Sequence, residues 1–282
     1  MTPEINRALG AAAVGAAVAL GPRIAAATPR PLPFTYPAIT LPKGSLEVEQ
    51  YLDLVPVRVA REDADGTRAV TSLRSVLQTE LEYGITDRLE AAFYFTFQQG
   101  ASATSPFLVF EGVKQRLRYE LSERGVWPID VGLYGEIAEF HDELEFEEKI
   151  LLSRRLGAWG FACNLWVEQE YAFQVPEWEF FYNPTIGGTY DLSPNVVVGL
   201  EYWMRGRFGE EEEEEEGAVV DPALEEATEG TRHYLGPTLM LQTTDLFFTV
   251  GVYGRLDHLG DDAVVGDPYG KVWIRTLIGV HL

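Results

Sequence analysis

The stretch that decides the fold is Leu77-Gln78-Thr79-Glu80-Leu81-Glu82-Tyr83-Gly84-Ile85-Thr86-Asp87-Arg88-Leu89-Glu90-Ala91-Ala92-Phe93-Tyr94-Phe95-Thr96-Phe97. Before Thr86, Leu77, Thr79, Leu81, Tyr83 and Ile85 alternate with Gln78, Glu80, Glu82 and Gly84. After Arg88, Leu89, Ala91, Phe93, Phe95 and Phe97 alternate with Glu90, Ala92, Tyr94 and Thr96. A period of two marks strands whose two faces meet different surroundings. The short polar link Thr86-Asp87-Arg88 allows only a tight reversal, so the two strands are antiparallel neighbours.

The pattern recurs in both directions. Segments 45–60, 68–86, 89–99, 107–122, 129–140, 143–156, 161–173, 179–192, 196–208, 232–243, 246–257 and 271–282 read as strands, about twelve in all. Most reach the roughly 9–11 residues that a tilted strand needs to cross a bilayer, against an average strand of about 5–6. Links at 86–88, 123–128, 157–160, 193–195 and 244–245 are short. Those at 61–67, 99–106, 174–178, 209–231 and 258–270 are longer or more polar, with His141-Asp142 a short exception. This alternation predicts an all-β fold: a transmembrane antiparallel up-and-down β-barrel with short periplasmic turns and longer extracellular loops.

A soluble sandwich or lipocalin-like barrel shares the alternation, which does not distinguish inside from outside. Three features favour lipid: the strand length, the glycines inside strands (Gly187, Gly188, Gly199, Gly251, Gly279), and the final alternating strand Ile274 to Leu282. Tyr83, Tyr119 and Tyr190 fall on the apolar face beside short turns, and Trp127 and Trp159 lie in turns. Together they predict an aromatic girdle at one membrane interface. Glu148 fits poorly on the apolar face unless a bulge turns it inward, and Pro184 and Pro237 must sit where no ladder hydrogen bond is lost.

Composition sets outer bounds. The chain has 282 residues, 46% hydrophobic and 12% aromatic, too apolar for disorder. Asp and Glu number 44 against 22 Lys and Arg, a net charge of -22 that disfavours nucleic acid as a partner. Cys163 is the sole cysteine, which excludes a disulfide framework and a CxxC-type zinc site. Residues 1–27 read as a secretory signal peptide: Arg7, then the apolar run Ala8 to Leu20, then Ala25-Ala26-Ala27 as a cleavage site. Residues 28–44, rich in proline and glycine, read as an extended N-terminal lead-in. Residues 45–282 form the barrel, with 209–231 an acidic extracellular loop that is low-complexity and solvated.

Leu41-Pro42-Lys43-Gly44-Ser45-Leu46-Glu47-Val48-Glu49 opens the first strand, and Glu82-Tyr83-Gly84-Ile85-Thr86-Asp87-Arg88-Leu89-Glu90 makes a strand–turn–strand. With Leu144 to Leu152 and Asn164-Leu165-Trp166-Val167-Glu168, these resemble bacterial outer-membrane transporter-like β-barrels of the phenol meta-degradation pathway channel type. The resemblance implies an outer-membrane channel. The last strand resembles the signal read by the barrel-assembly machinery, which usually ends in Phe; here it ends in Leu282.

The face opposite lipid carries the candidate functional residues: Glu80, Glu82, Glu90, Lys114, Arg116, Arg118, Glu136, Trp166, Glu168, Trp203, Arg205 and Trp273. Lys114, Arg116 and Arg118 form a basic stripe down one strand, flanked by Glu90 on one neighbour and by Asp130 and Glu136 on the other. The stripe reads either as an ion-paired network filling a narrow lumen or as a charged constriction selecting solutes. A twelve-stranded lumen lies between filled and open, so size does not choose. Trp166, Trp203 and Trp273 read either as packing or as an aromatic wall for a ring-bearing solute.

Some outer-membrane barrels are lipid-modifying enzymes, which need a Ser–His pair. His141, His233, His258 and His281 occur without an HxS pair or a GxSxG elbow, so no catalytic role is assigned. The expectation is an outer-membrane channel or uptake porin for small solutes, with aromatic or hydrophobic ones as one option. Its partners would be outer-membrane lipid, lipopolysaccharide and a small-molecule solute, with no cofactor and no metal. The alternative is a structural or surface-interaction barrel with a plugged lumen, followed by an outer-membrane lipid-modifying enzyme.

Overall fold

The computed structural model describes residues 29–63, 66–99, 108–174, 176–209, 230–257, 259 and 263–282. The signal-peptide segment and nearly all of the acidic loop lie outside the described residues. The strands are β1 (Leu46–Asp63), β2 (Gly66–Gly84), β3 (Leu89–Gln99), β4 (Val109–Glu120), β5 (Asp130–Phe140), β6 (Glu143–Leu156), β7 (Trp159–Ala172), β8 (Glu177–Tyr182), β9 (Thr185–Ser193), β10 (Val196–Arg207), β11 (Arg232–Gln242), β12 (Leu246–Arg255) and β13 (Val272–His281).

Each strand pairs antiparallel with its sequence neighbour, and β13 returns to β1 through Glu47↔His281 up to Leu54↔Ile274. The sheet therefore closes on itself and leaves no open edge. β8 and β9 are two halves of one stave. Both face β7 and β10 in one continuous register, interrupted at Asn183-Pro184. The barrel is thus twelve-staved, as the pattern predicts. The ladder survives the interruption, since the Asn183 N–H donates to the Trp166 carbonyl at 2.9 Å and the Pro184 carbonyl accepts from Met204. Pro237 pairs with Leu200 on one side, while the β11–β12 register lapses at Gly236-Pro237, where no N–H is available.

The face assignment holds along the staves. Leu81, Tyr83, Leu117, Leu133, Ile150 and Leu165 point outward and are exposed, while Glu80, Glu82, Arg116, Arg118 and Lys149 point inward and are buried. An apolar exterior around an ionic interior is the inverse of a soluble barrel and fits a hydrocarbon solvent. Tyr83, Tyr119, Tyr190, Trp127 and Trp159 are all exposed at the short-turn end. Trp159 and Tyr190 lie 4.8 Å apart there. Phe97 with Phe110, Tyr171 with Trp178, and Tyr182 with Phe208 form a second ring of outward aromatics toward the long-loop end.

Two expectations are corrected. Residues 61–63 and 66–67 are strand and not loop. The β1–β2 ladder continues through Arg61↔Arg68 to Asp63↔Gly66, because polar residues on both faces suit a hairpin standing in water beyond the bilayer. Glu148 is not turned inward by a bulge. Its strand keeps register, the carboxylate stays exposed on the outer face, and Gln169 donates to it at 3.2 Å.

Candidate functional site

The lumen is built by three sets of inward side chains and by the chain's own residues 29–44. Prolines 29, 31, 33, 37 and 42 prevent this segment from joining a ladder, since they offer no N–H. It enters from the short-turn end beside Gly84, rises to Phe34 and turns back. A Cβ on Gly84 would stand 2.1 Å from the Pro42 carbonyl oxygen, so the entry requires glycine there.

Several backbone donors of the segment end on barrel side chains. The Phe34 and Thr35 N–H groups donate to Glu201 Oε1 at 3.0 and 2.7 Å. Tyr36 N–H donates to Asn164 Oδ1 at 2.8 Å, and Asn164 Nδ2 donates back to the Tyr36 carbonyl at 2.8 Å. Ala38 donates to Ser153 at 3.0 Å and Leu41 to Glu90 Oε2 at 2.7 Å. The segment is an internal plug, and its side chains Leu32, Phe34, Tyr36, Ala38 and Leu41 are buried. The sequence reading treats these residues only as a lead-in. Their alternation of proline with Leu32, Phe34 and Tyr36 was the available signal.

The first set of inward side chains is an ionic layer around the plug. Arg116 reaches Glu80 at 2.6 Å, Glu82 at 2.8 Å and Glu90 at 2.5 Å, and donates to Tyr94 at 2.8 Å. Arg118 reaches Glu90 at 2.7 Å. Arg30, from the plug, pairs with Glu49 at 3.1 Å and stacks over the Tyr36 ring at 3.7 Å. Tyr51 donates to Glu80 at 2.5 Å. Within this layer the basic stripe is an ion-paired network. Arg116 is only 1% exposed and contacts no open space.

The second set is aromatic and caps the plug. Phe34 meets Trp203 at 4.7 Å and Trp273 at 6.1 Å, and Arg275 lies 3.9 Å over its ring. Trp203 stacks on Tyr234 at 4.2 Å. The third set is acidic and faces the long-loop end. Arg205 holds Glu168 at 2.6 Å and Glu170 at 2.5 Å. Lys114 pairs with Glu136 at 3.1 Å and lies within 3.8 Å of Glu145 and Glu147. Lys149 sits 3.5 Å over the Trp166 ring.

Among the described residues, two cavities flank the plug. The upper one, of about 450 Å³, opens toward the long loops and is bounded by Trp166, Trp203, Trp273, Glu168, Arg205 and Phe34. The lower one, of about 490 Å³, lies between Pro31, Leu32, Thr35 and the periplasmic-side walls near Asp130, Arg155 and Met240. Phe34 bounds the upper cavity and Thr35 the lower, so the two adjoin at the plug's apex. Of the twelve predicted site residues, Lys114, Trp166, Glu168, Trp203, Arg205 and Trp273 line the upper cavity. Glu80, Glu82, Glu90, Arg116 and Arg118 belong to the layer that grips the plug, and Glu136 braces Lys114.

No family model matches the chain, and no curated protein matches it in sequence. Solved structures do match in shape. The COG4313 outer membrane channel from Pseudomonas putida F1 superposes with a TM-score of 0.54 at 13% identity, covering 87% of this chain and 98% of that one. The NanC porin superposes at 0.52 with 10% identity, covering 83% and 98%. The fold is that of an outer-membrane channel. At these identities the likeness is one of fold.

Proposed function

We propose that this protein is a plugged outer-membrane channel that takes up small amphipathic solutes. The observation that carries the reading is the pair of adjoining cavities on either side of residues 34 and 35, which are tied to the wall through one carboxylate, Glu201. Releasing that carboxylate frees two backbone donors and joins the cavities. Each of the two bonds is worth about 1.5–3 kcal/mol, so the plug moves only where solute or water takes their place on the carboxylate.

The upper cavity sets selectivity. Eight of its lining residues are acids and four are bases, and indoles supply apolar walls. That favours neutral or cationic solutes with an apolar ring and opposes anions. The resemblance to phenol-pathway channels agrees with a ring-bearing cargo. The outer membrane is the matching compartment, reached through the predicted signal peptide 1–27.

The second reading, a closed structural barrel, is favoured by the dense Arg116 network. Planar-bilayer recordings separate the two. The channel reading expects small or intermittent conductance from the wild type and a large, steady, cation-selective conductance when residues 29–40 are deleted. A folded deletion variant that stays silent would defeat the channel reading.

A further inference from the structure

Glu47 sits opposite two inward residues at once. Its cross-strand partner on β13 is His281 and on β2 is Glu82. Glu49 lies one inward rung above it. Glu47, Glu49 and Glu82 each bring a carboxylate oxygen within 4.8 Å of the others, and they are 0%, 0% and 1% exposed. Like charges placed directly opposite in a sheet repel one another.

Three further atoms point to what resolves the repulsion. His281 is 7% exposed, and its Nδ1 lies 3.7 Å from Glu47 Oε2 with no hydrogen-bond partner. Glu49 gives Oε2 to Arg30 and Tyr51, while its Oε1 is buried and unbonded. Glu82 gives Oε1 to Arg116, while its Oε2 is buried with no hydrogen bond, 3.9 Å from Arg118. The unbonded carboxylate oxygens of Glu49 and Glu82 and the His281 nitrogen present lone pairs into one buried space, and a divalent cation would satisfy them.

We propose that Glu47, Glu49, Glu82 and His281 form a buried divalent-cation site at the β13–β1–β2 seam, beneath the plug. Carboxylate oxygens with one imidazole nitrogen suit a first-row ion of the Mn²⁺ or Zn²⁺ kind better than Ca²⁺, which takes oxygen ligands alone. The ion would clamp the two strands that close the barrel to the layer holding Arg30, and it is taken up as the barrel folds.

The test uses the full chain without its leader, folded in detergent after chelator treatment and then exposed to MnCl2 or ZnCl2. Elemental analysis after gel filtration should find one retained ion per barrel. His281→Gln and Glu47→Gln, checked for folding by heat-shifted migration, should each weaken retention at least about 10-fold. In the Mn²⁺ protein, magnetic resonance should show coupling to an imidazole nitrogen that His281→Gln removes. Glu170→Gln, in the upper cavity, should retain the ion. The proposal is overturned if the folded wild type holds neither ion, or if His281→Gln holds as much as wild type.

Discussion

Arg116 reaches three carboxylates on two strands, and its burial makes that arrangement consequential. Removing one member of a buried pair leaves uncompensated charge, at about 3–5 kcal/mol. Arg116→Ala should therefore lower barrel stability by that order in urea titrations followed by tryptophan fluorescence. Arg116→Lys should recover only part of it, because an ammonium lacks the planar fork. On the outer face the sign of polarity reverses. Leu165 is 51% exposed to the surroundings of the barrel, so Leu165→Arg should cost about 2–4 kcal/mol if it lies at mid-membrane. Glu148→Leu should stabilise in the same assay. Asp257, beyond the end of β12, behaves differently again. Partial burial pushes its carboxyl up, but the His233 N–H at 2.9 Å and Arg255 at 2.6 Å outweigh this and hold it below the usual carboxylate range. Its contribution is full above the unfolded value of about 3.9 and fades as pH falls through the lower folded one. The protection of the His233 amide, relative to its intrinsic exchange rate, should fall under acid in the wild type, and in Asp257→Ala it should be lost already at neutral pH.

At the scale of elements, the plug is held by side chains and not by a ladder, so it can leave without unfolding a strand. Glu201→Ala should speed amide exchange at Phe34 and Thr35 while strand amides stay protected. It should also raise the open time in bilayer recordings. Gly187 gives a steric test of the same element. A Cβ there would stand 2.6 Å from Leu32 Cδ1, so Gly187→Leu should displace the plug and raise conductance, with the barrel intact by circular dichroism. Unchanged conductance in both variants would separate plug position from permeation. The broken stave β8–β9 teaches a related lesson. Pro184 reads in the sequence as a flaw inside one strand, and the structure divides the stave there into β8 and β9 yet keeps both in one register, because the flanking bonds of Asn183 and Met204 persist.

For the whole molecule, the upper cavity's excess of acids should bias permeation toward cations. Reversal potentials of the plug-deleted barrel should shift toward cation selectivity in low salt and less so at high salt, since screening falls to about 3 Å at 1 M. Glu145→Gln combined with Glu168→Gln should reduce that shift. The barrel itself was legible because every stave repeats the same period of two, and lipid outside with charge inside requires that alternation along the full strand length. Leu77 to Phe97 alone carries the strand, the turn and both faces. The inward direction of Lys114, Arg116, Arg118, Trp166, Trp203 and Trp273 followed from the same count. Their partition between plug-gripping and cavity-lining did not, because it depends on which residues of distant strands share a depth. The plug was hidden for the same reason. Its hydrogen bonds run from residues 34–41 to Glu90, Ser153, Asn164 and Glu201, separations that no local pattern encodes. In the sequence, periodicity determined the staves and their two faces, and strand length chose lipid over water, since those are properties of each strand against its surroundings. Barrel closure decided the rest: it brought His281 against Glu47 and residues 29–44 into the lumen, because contacts between chain ends exist only once the sheet has curved round to meet itself.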